Sequence, residues 1–223
     1  MSFSLNYGLL FWGEQHISSG LAALLQATIP LFGLVIGHLY LPGERVTIAK
    51  LIGVLLGLLG VGLIFSDQLH VGGMRAVQGS VAIVVGALGV AYANVLVKAR
   101  GLHLDSAMLA AGQMIFGLIP LLVVGLFVEG NPLHFHWTRL AVASIVYLAL
   151  VGSSLAFVLY YWLVRHMAVF NTMLISLVTP VVAILLGGVI LGETITWRVA
   201  AGGAVILSGI SLILFHARRG RSK

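Results

Sequence analysis

The side chains best suited to hold a ligand are hydrogen-bonding groups inside long apolar stretches of this sequence. Amide, hydroxyl and aromatic groups in such surroundings usually face the interior of a helix bundle, where they bind a solute or bond one helix to another. Both roles stay open for each candidate. The candidates for substrate binding are Gln26, Thr28, Asn94, Gln113, Tyr160, Trp162, Asn171, Thr172 and Thr179.

The aromatic residues allow a second interpretation. Tyr160 and Trp162, together with Tyr7, Trp12 and Tyr161, could line a vestibule for an organic solute. Alternatively, they form the belt of Tyr and Trp that marks the two membrane–water interfaces.

Chemistry that needs an ionised group has few candidates. A carboxylate near a bilayer is a functional candidate, so Glu14 could carry a coupled proton; a solvated loop carboxylate is the alternative. No paired carboxylates or histidine cluster are predicted at one depth, so no catalytic residue is predicted. The chain has no cysteine and no Gly-x-x-x-x-Gly-Lys-Ser/Thr motif. Thiolate chemistry and Cys-ligated metals are therefore excluded, and direct ATP drive is not supported. Neither a metal nor a cofactor is predicted.

Two proline segments interrupt apolar stretches in a similar way. They are Gln26-Ala27-Thr28-Ile29-Pro30 and Ser176-Leu177-Val178-Thr179-Pro180. Because proline removes a backbone hydrogen bond and kinks a helix, Pro30 and Pro180 are predicted hinges. The freed carbonyls and the threonine hydroxyls could face a cavity. The alternative is a packing kink that the threonine itself satisfies.

The elements that must position these groups are membrane helices. Hydrophobic residues make up 60% of the 223 positions and charged residues 8%, too few charges to cover a water-soluble globule of this size. Apolar segments of roughly 20 residues predict an all-α membrane protein, a polytopic bundle of about eight transmembrane helices. The segments are 2–13, which is short, 17–40, 48–66, 79–97, 106–128, 139–164, 169–191 and 197–215.

Positive charges predict the orientation. With a C-terminus inside and eight alternating crossings, the inside set is Arg45, Lys50, Lys98, Arg100, Arg165, Arg218, Arg219, Arg221 and Lys223, against Arg75, Arg139 and Arg198 outside. This bias is typical of a bacterial cytoplasmic membrane protein. The basic tail suits anionic lipid better than nucleic acid, so a lipid bilayer is predicted as a partner and nucleic acid is not. The first segment lacks the basic start and the cleavage site of a signal peptide.

An internal repeat relates the two parts of the chain. Trp12, His16 and Pro30 recur as Trp162, His166 and Pro180 at an offset of 150 residues; Gly43, Glu44, Thr47, Gly53 and Gly60 recur at an offset of 149, as Gly192, Glu193, Thr196, Gly202 and Gly209. The glycines of each Gly-Glu pair suit left-handed turns, and the threonines can cap the next helix. The orientation places the two Gly-Glu turns on opposite sides, so the repeats are inverted, a construction that recurs in secondary transporters.

These residues resemble a known family. Gly20 to Leu25, Pro30, the run Gly43-Glu44-Arg45-Val46-Thr47 and the glycine-rich helix from Leu51 to Val61 are similar to the EamA domain, as is the second copy from Thr179 to Gly209. The resemblance is to the drug/metabolite transporter superfamily, and it implies ten helices in two inverted EamA repeats around a central cavity. It further implies a small-molecule solute: a metabolite, an amino acid or a drug.

The resemblance sets the expected domains. They are an incomplete first repeat at 1–66, a connecting loop at 67–78, a second repeat at 79–216 and a basic cytoplasmic tail at 217–223. The first repeat shows three of five helices, so the chain is expected to be truncated at its N-terminus relative to the ten-helix pattern. A homodimer could fill the gap.

The sequence thus predicts a secondary transporter that moves a small organic solute by alternating access, and not an enzyme. The alternatives are a truncated, transport-inactive membrane protein and an intramembrane enzyme.

Overall fold

The chain folds into a bundle of apolar helices. A computed structural model describes residues 2–66, 73–128, 137–191 and 196–221, and within these ranges all regular secondary structure is helical. The helices are α1 Ser2–Glu14, α2 Ser19–Gln26, α3 Ile29–Tyr40, α4 Ile48–Ile64, α5 Gly73–Arg100, α6 Ser106–Val128, α7 Arg139–Tyr147, α8 Ala156–His166, α9 Val169–Met173, α10 Ile175–Leu191 and α11 Trp197–Arg221, with a π-helical segment Leu148–Leu155 joining α7 to α8.

The predicted all-α membrane architecture is confirmed. Five stretches in the described part of the chain are long and apolar enough to cross a membrane, two of them built from more than one helix: Ser19–Tyr40, Gly73–Arg100, Ser106–Phe127, Arg139–His166 and Trp197–His216. Ile48–Ile64 and Val169–Ala183 are shorter apolar helices. With α1, these elements correspond one by one to the predicted segments, and the protein is a multi-pass membrane protein.

Local sequence sets several helix ends. Gly43 has φ +92°, the left-handed conformation predicted for the turn after α3. The Thr47 hydroxyl accepts a hydrogen bond from the Lys50 N–H at 3.3 Å and caps α4, as predicted. The symmetry-related Gly192 and Glu193 lie outside the described residues. Helix α5 begins at Gly73, inside the stretch predicted as a connecting loop, and α11 continues to Arg221, inside the predicted tail.

Glycines let α4 and α11 pack with their backbones almost in contact. A methyl group on Gly60 would lie 2.6 Å from the Gly202 carbonyl oxygen, and one on Gly53 would lie 2.6 Å from the Gly209 carbonyl oxygen. The two helices are therefore antiparallel. The predicted offset maps Gly53 onto Gly202 and Gly60 onto Gly209, so a twofold axis exchanges the two contacts. Reciprocal contacts of this kind are those of an inverted repeat.

A second pair of related elements has the same inverted relation. Gly13 of α1 lies against Gly79 of α5, whereas Asn6 lies against Gly86, so α1 and α5 are antiparallel. Helix α5 is parallel to α8, because Asn94 bonds Tyr160 and, one turn farther along both helices, Lys98 bonds the Val164 carbonyl. Helices α1 and α8, which correspond in the repeat, therefore run in opposite directions.

The predicted Trp-x-x-x-His repeat also has one geometry in both copies. The His16 Nδ1–H donates to the Trp12 carbonyl at 2.8 Å, and the His166 Nδ1–H donates to the Trp162 carbonyl at 2.8 Å. The ring centroids are 4.7 Å apart in the first pair and 4.4 Å apart in the second. Because α1 and α8 are antiparallel, the two pairs lie at opposite ends of the bundle.

The core lies between the repeats. Val54 and Val61 of α4 pack with Phe170, Leu177 and Ile206 of the second repeat, all fully buried. By contrast, α7 and the π-helical segment contain no buried residue, and Leu140 is 78% exposed. In a membrane protein such an apolar outer face is solvated by lipid.

Candidate functional site

A cavity of about 220 Å³ opens between the two repeats. Helices α1 and α3 line it from the first repeat, and α5, α6, α8, α9 and α10 from the second. None of the described residues that line it is acidic or basic. The hydrogen-bonding side chains that line it are Asn6, Tyr7, Asn94, Gln113, Tyr160, Tyr161, Thr172 and Ser176, and the apolar ones include Phe3, Ile29, Val90, Phe157 and Met173.

Helical periodicity explains which side chains reach the cavity. Val90 and Asn94 are four residues apart on α5 and so share one face, as do Phe157 and Tyr161 on α8. Neighbours on the opposite faces of these helices point away. Trp162 is 51% exposed and stacks on His166, so it lies on the outer surface.

A buried hydrogen-bond chain forms one wall of the cavity. The Asn94 Nδ2 donates to the Tyr160 hydroxyl at 2.7 Å, and Asn94 is only 5% exposed. The Tyr160 hydroxyl also interacts with the Thr172 side chain, whose own hydroxyl donates to the Val169 carbonyl at 2.7 Å. These bonds join α5, α8 and α9, and an apolar setting makes each costly to break.

A second polar pair connects α1 to the last residue of α2. The Gln26 Nε2 donates to the Asn6 Oδ1 at 3.2 Å. Asn6 lines the cavity and Gln26 does not. Gln26 therefore acts on the cavity through Asn6, which it holds in place from behind.

Three cavity-lining groups make no side-chain hydrogen bond within the described ranges: the Gln113 amide and the hydroxyls of Tyr7 and Tyr161. Because no buried side-chain polar atom in these ranges lacks a partner, the three groups are open to the cavity. Since a polar group in an apolar setting gains by pairing, these are the side chains available to a solute. They lie on α6, α1 and α8 respectively.

Two helix breaks adjoin the cavity. The first lies between α2 and α3 at Ala27 and Thr28, and the second lies between α9 and α10 at Leu174. The first residues after the breaks, Ile29 and Ile175, both line the cavity. Broken helices at membrane depth occur where they line a cavity or are buried in protein.

The two predicted hinges differ. Pro30 lies in the first turn of α3, directly after the first break, where proline fits without loss of a hydrogen bond. Pro180 lies inside α10, and the second break precedes it at Leu174.

The remaining predicted residues lie outside the cavity lining. Thr28 and Thr179 donate to carbonyls of their own segments, Leu25 at 2.6 Å and Ile175 at 2.8 Å, which fits the alternative of a self-satisfied kink. Asn171 is half-buried beside the lining residue Thr172, and Glu14 is exposed at the end of α1. Asn94, Gln113, Tyr160 and Thr172 are the predicted residues that the structure brings together.

A cluster of polar and charged groups lies between the cavity and one end of the bundle. We name this end of the bundle the Glu44 end. The Glu44 Oε1 accepts from the Val169 N–H at 2.8 Å, and its Oε2 lies 3.7 Å from the Lys50 Nζ. The Lys98 Nζ donates to the carbonyls of Val164 and Arg165 at 2.8 and 2.9 Å. Lys50, Lys98 and Arg165, three of the basic residues assigned to the inside, therefore share one end.

The sequence did not predict that Phe3, Asn6 and Phe157 line the cavity. For Glu44 it predicted only a position in a turn. Asn6 carries a usable signal, since it is an amide inside an apolar segment. The two phenylalanines carry none, because apolar residues fill every face of these helices.

Comparison with known proteins agrees with this architecture. The profile of the EamA-like transporter family matches residues 1–66 and 77–215. One solved crystal structure aligns with a TM-score of 0.81 at 20% identity, over 96% of this chain and 73% of that one, and so shares the fold.

Several relatives are transporters by name. An uncharacterized transporter of Bacillus subtilis, YoaV, is 30% identical over 212 residues, which are 95% of this chain and 72% of the relative. A probable terminal-alkyne amino-acid exporter of Streptantibioticus cattleyicolor is 31% identical over 92% of this chain and 67% of the relative. An inner membrane transporter of Escherichia coli, YedA, is 29% identical over 92% of this chain and 66% of the relative. The helices, the inverted repeat and the match to the family profile agree, and the chain belongs to the EamA-like transporter family of multi-pass membrane proteins.

Proposed function

We propose that this chain is a secondary transporter that carries a small organic solute by alternating access. The observation that carries the proposal is the cavity, because residues of both inverted repeats line it and the Glu44–Val169 contact separates it from one end of the bundle. Exchanging the conformations of two related repeats would open such a cavity to either side in turn.

We propose Gln113 and Tyr161 as direct solute contacts, with Tyr7 as a third. The chain Asn94–Tyr160–Thr172 shapes the wall, and Gln26 positions Asn6. Within the described residues, Glu14 has no contact with the cavity, so coupling to protons through Glu14 would need a path along α1.

We further propose that the Glu44 end faces the cytoplasm. The C-terminal part of α11 lies at this end, since Ile213 packs beside Gly53 near the start of α4. The C-terminal part of α11 therefore lies at the same end as Lys50, Lys98 and Arg165. An excess of basic residues at one end is what the positive-inside rule assigns to the cytoplasmic side.

Counterflow in proteoliposomes tests the transport proposal. The first solutes are apolar amino acids, since one relative is named an amino-acid exporter, and uncharged aromatic metabolites complete the panel. Gln113→Ala should lower the rate about tenfold, the effect of one lost hydrogen bond to a solute. Gln15→Ala, an exposed glutamine at the end of α1, is the matched control. If well-folded protein carries no solute of the panel, the transport-inactive alternative replaces this proposal.

A further inference from the structure

Helix α9 is a single turn whose own segment supplies no cap. It comprises Val169–Met173 and is set apart from α10 by the break at Leu174. The residue before it, Ala168, has no side-chain atom that accepts a hydrogen bond. Other helices are capped by the hydroxyl of the residue directly before them: α2 by Ser18, α4 by Thr47 and α7 by Thr138.

The cap of α9 comes from the other repeat. Glu44, in the turn between α3 and α4, accepts a hydrogen bond from the Val169 N–H at 2.8 Å. Beside it, the Lys50 ammonium lies 5.0 Å from the centroid of the Phe170 ring. A cap from within the same segment would persist in every arrangement of the two repeats. These contacts, by contrast, exist only while α9 stays against the first repeat.

Buried side chains close the cavity on the side of these contacts. Val95 of α5, Val164 of α8 and Val169 of α9 belong to one buried cluster, and at most 2% of each is exposed. On α5 and α8 these valines lie beyond the cavity lining toward the Glu44 end, and none of the three lines the cavity. A solute could pass this end only if α9 moved away from α5 and α8.

The last residues of α9 belong to the cavity wall. Thr172 and Met173 line the cavity, and the Thr172 side chain interacts with the Tyr160 hydroxyl. A helix of five residues thus touches Glu44 at its first residue and the cavity at its last two. Because α9 is interrupted from its neighbours at both ends, it can shift as a unit without unwinding α8 or α10.

We propose that Glu44 is a gating residue of the transport cycle. Its bond to the Val169 N–H holds α9 in the position that closes the cavity at the Glu44 end, and the bond breaks when the cavity opens there. This inference rests on the proposed function of the cavity. Glu44 does not line the cavity, so it is a positioning residue that acts through α9. Its removal should raise the population of the state that is open at the Glu44 end.

A single cysteine in the cavity measures this population. Ala93→Cys places a thiol on a lining residue of a chain that has no other cysteine. A small membrane-impermeant thiol reagent is applied to right-side-out and to inverted vesicles. Reaction of a separate Arg45→Cys variant identifies the vesicles whose Glu44 end faces the reagent. The measurement needs no solute.

We expect Glu44→Ala to raise the reaction rate of Ala93→Cys from the Glu44 end at least about tenfold, the effect of one hydrogen bond to a charged group. The rate from the opposite end should not rise. Asp105→Ala is the matched control, because Asp105 caps α6 from within its own segment, accepting from the Met108 N–H at 2.7 Å. This control should leave both rates unchanged. An unchanged rate in Glu44→Ala, an equal rise in Asp105→Ala, or a rise from both ends would overturn the proposal.

Ala168→Ser separates gating from a purely structural cap. Ala168 is exposed, and its φ of −59° and ψ of 134° are close to the −68° and 150° of Ser18, so a serine there can cap α9 locally. Added to Glu44→Ala, it should restore the melting temperature while the reaction rate from the Glu44 end stays raised. A rate that returned to the parent value would mean that any cap closes the cavity, and the gating role would be excluded.

The gating role and the transport function fail separately. Counterflow of a solute, together with an unchanged reaction rate in Glu44→Ala, would leave transport in place and exclude Glu44 as its gating residue. A raised rate in Glu44→Ala without counterflow of any solute would support the closure by Glu44 and exclude only the transport function.

Discussion

The Glu44 carboxylate accepts a hydrogen bond from the Val169 amide N–H at 2.8 Å, across 125 positions of the chain. It joins the turn between α3 and α4 to the first residue of α9, and so links the two repeats. Thr172 and Met173, about one turn beyond Val169, line the cavity. The contact is thus a helix cap supplied from the opposite repeat, and it lies between the cavity and the Glu44 end.

Loss of this contact should destabilise the protein. We expect Glu44→Ala to lower the free energy of unfolding by about 1 kcal/mol, the typical value of an N-terminal cap, or roughly 2–4 °C in the melting temperature. Thermal unfolding in detergent measures it. Glu14→Ala removes an exposed carboxylate and is the matched control. Equal melting temperatures for the two variants would show that the Val169 N–H finds another acceptor.

The close approach of α4 and α11 predicts an asymmetry between two glycine substitutions. Gly60→Ala places a methyl group 2.6 Å from the Gly202 carbonyl oxygen, so the helices must separate. We expect a loss of about 1–3 kcal/mol from overpacking. At Gly112 of α6 a methyl group meets nothing within 4 Å, so Gly112→Ala should be neutral or slightly stabilising. The melting temperatures of both variants check this, and an unchanged Gly60→Ala protein would contradict the packing.

Adjacent tyrosines predict different effects of the same substitution. Tyr160→Phe leaves the buried Asn94 amide without its acceptor and should cost about 1–3 kcal/mol. Tyr161→Phe breaks no hydrogen bond seen among the described residues and should change stability little. Denaturant or thermal unfolding without ligand distinguishes them. A larger loss for Tyr161→Phe would mean that its hydroxyl is engaged within the protein.

Because the chain has no cysteine, single cysteines report orientation directly. Arg45→Cys lies in the exposed turn at the Glu44 end and Gln15→Cys lies at the opposite end of α1. We expect a membrane-impermeant maleimide to label Gln15→Cys in intact cells, and Arg45→Cys only after the membrane is broken. The reverse pattern would invert the proposed orientation without changing the fold.

The apolar segments were predictable because hydropathy is local. Each predicted span has a helix at its position, and the cap at Thr47 and the left-handed Gly43 followed from residue type. The inverted repeat was also readable, since Gly53, Gly60, Gly202 and Gly209 keep their spacing when the backbones must touch.

Hydropathy could not predict which residues line the cavity. Tyr160 and Trp162 are two positions apart on α8, a rotation of about 200°, so one lines the cavity and the other lies outside. Likewise, Thr172 lines the cavity and its neighbour Asn171 does not. Hydropathy does not fix the rotation of a helix whose faces are all apolar.

The sequence by itself determined the positions of the apolar segments, the clustering of positive charge and the inverted relation of the repeats, because these depend on residue types along the chain. Only the tertiary structure decided that Asn6 joins Asn94 and Gln113, and that Glu44 caps α9. Those pairings depend on how each helix turns against its neighbours, and side-chain packing sets that rotation.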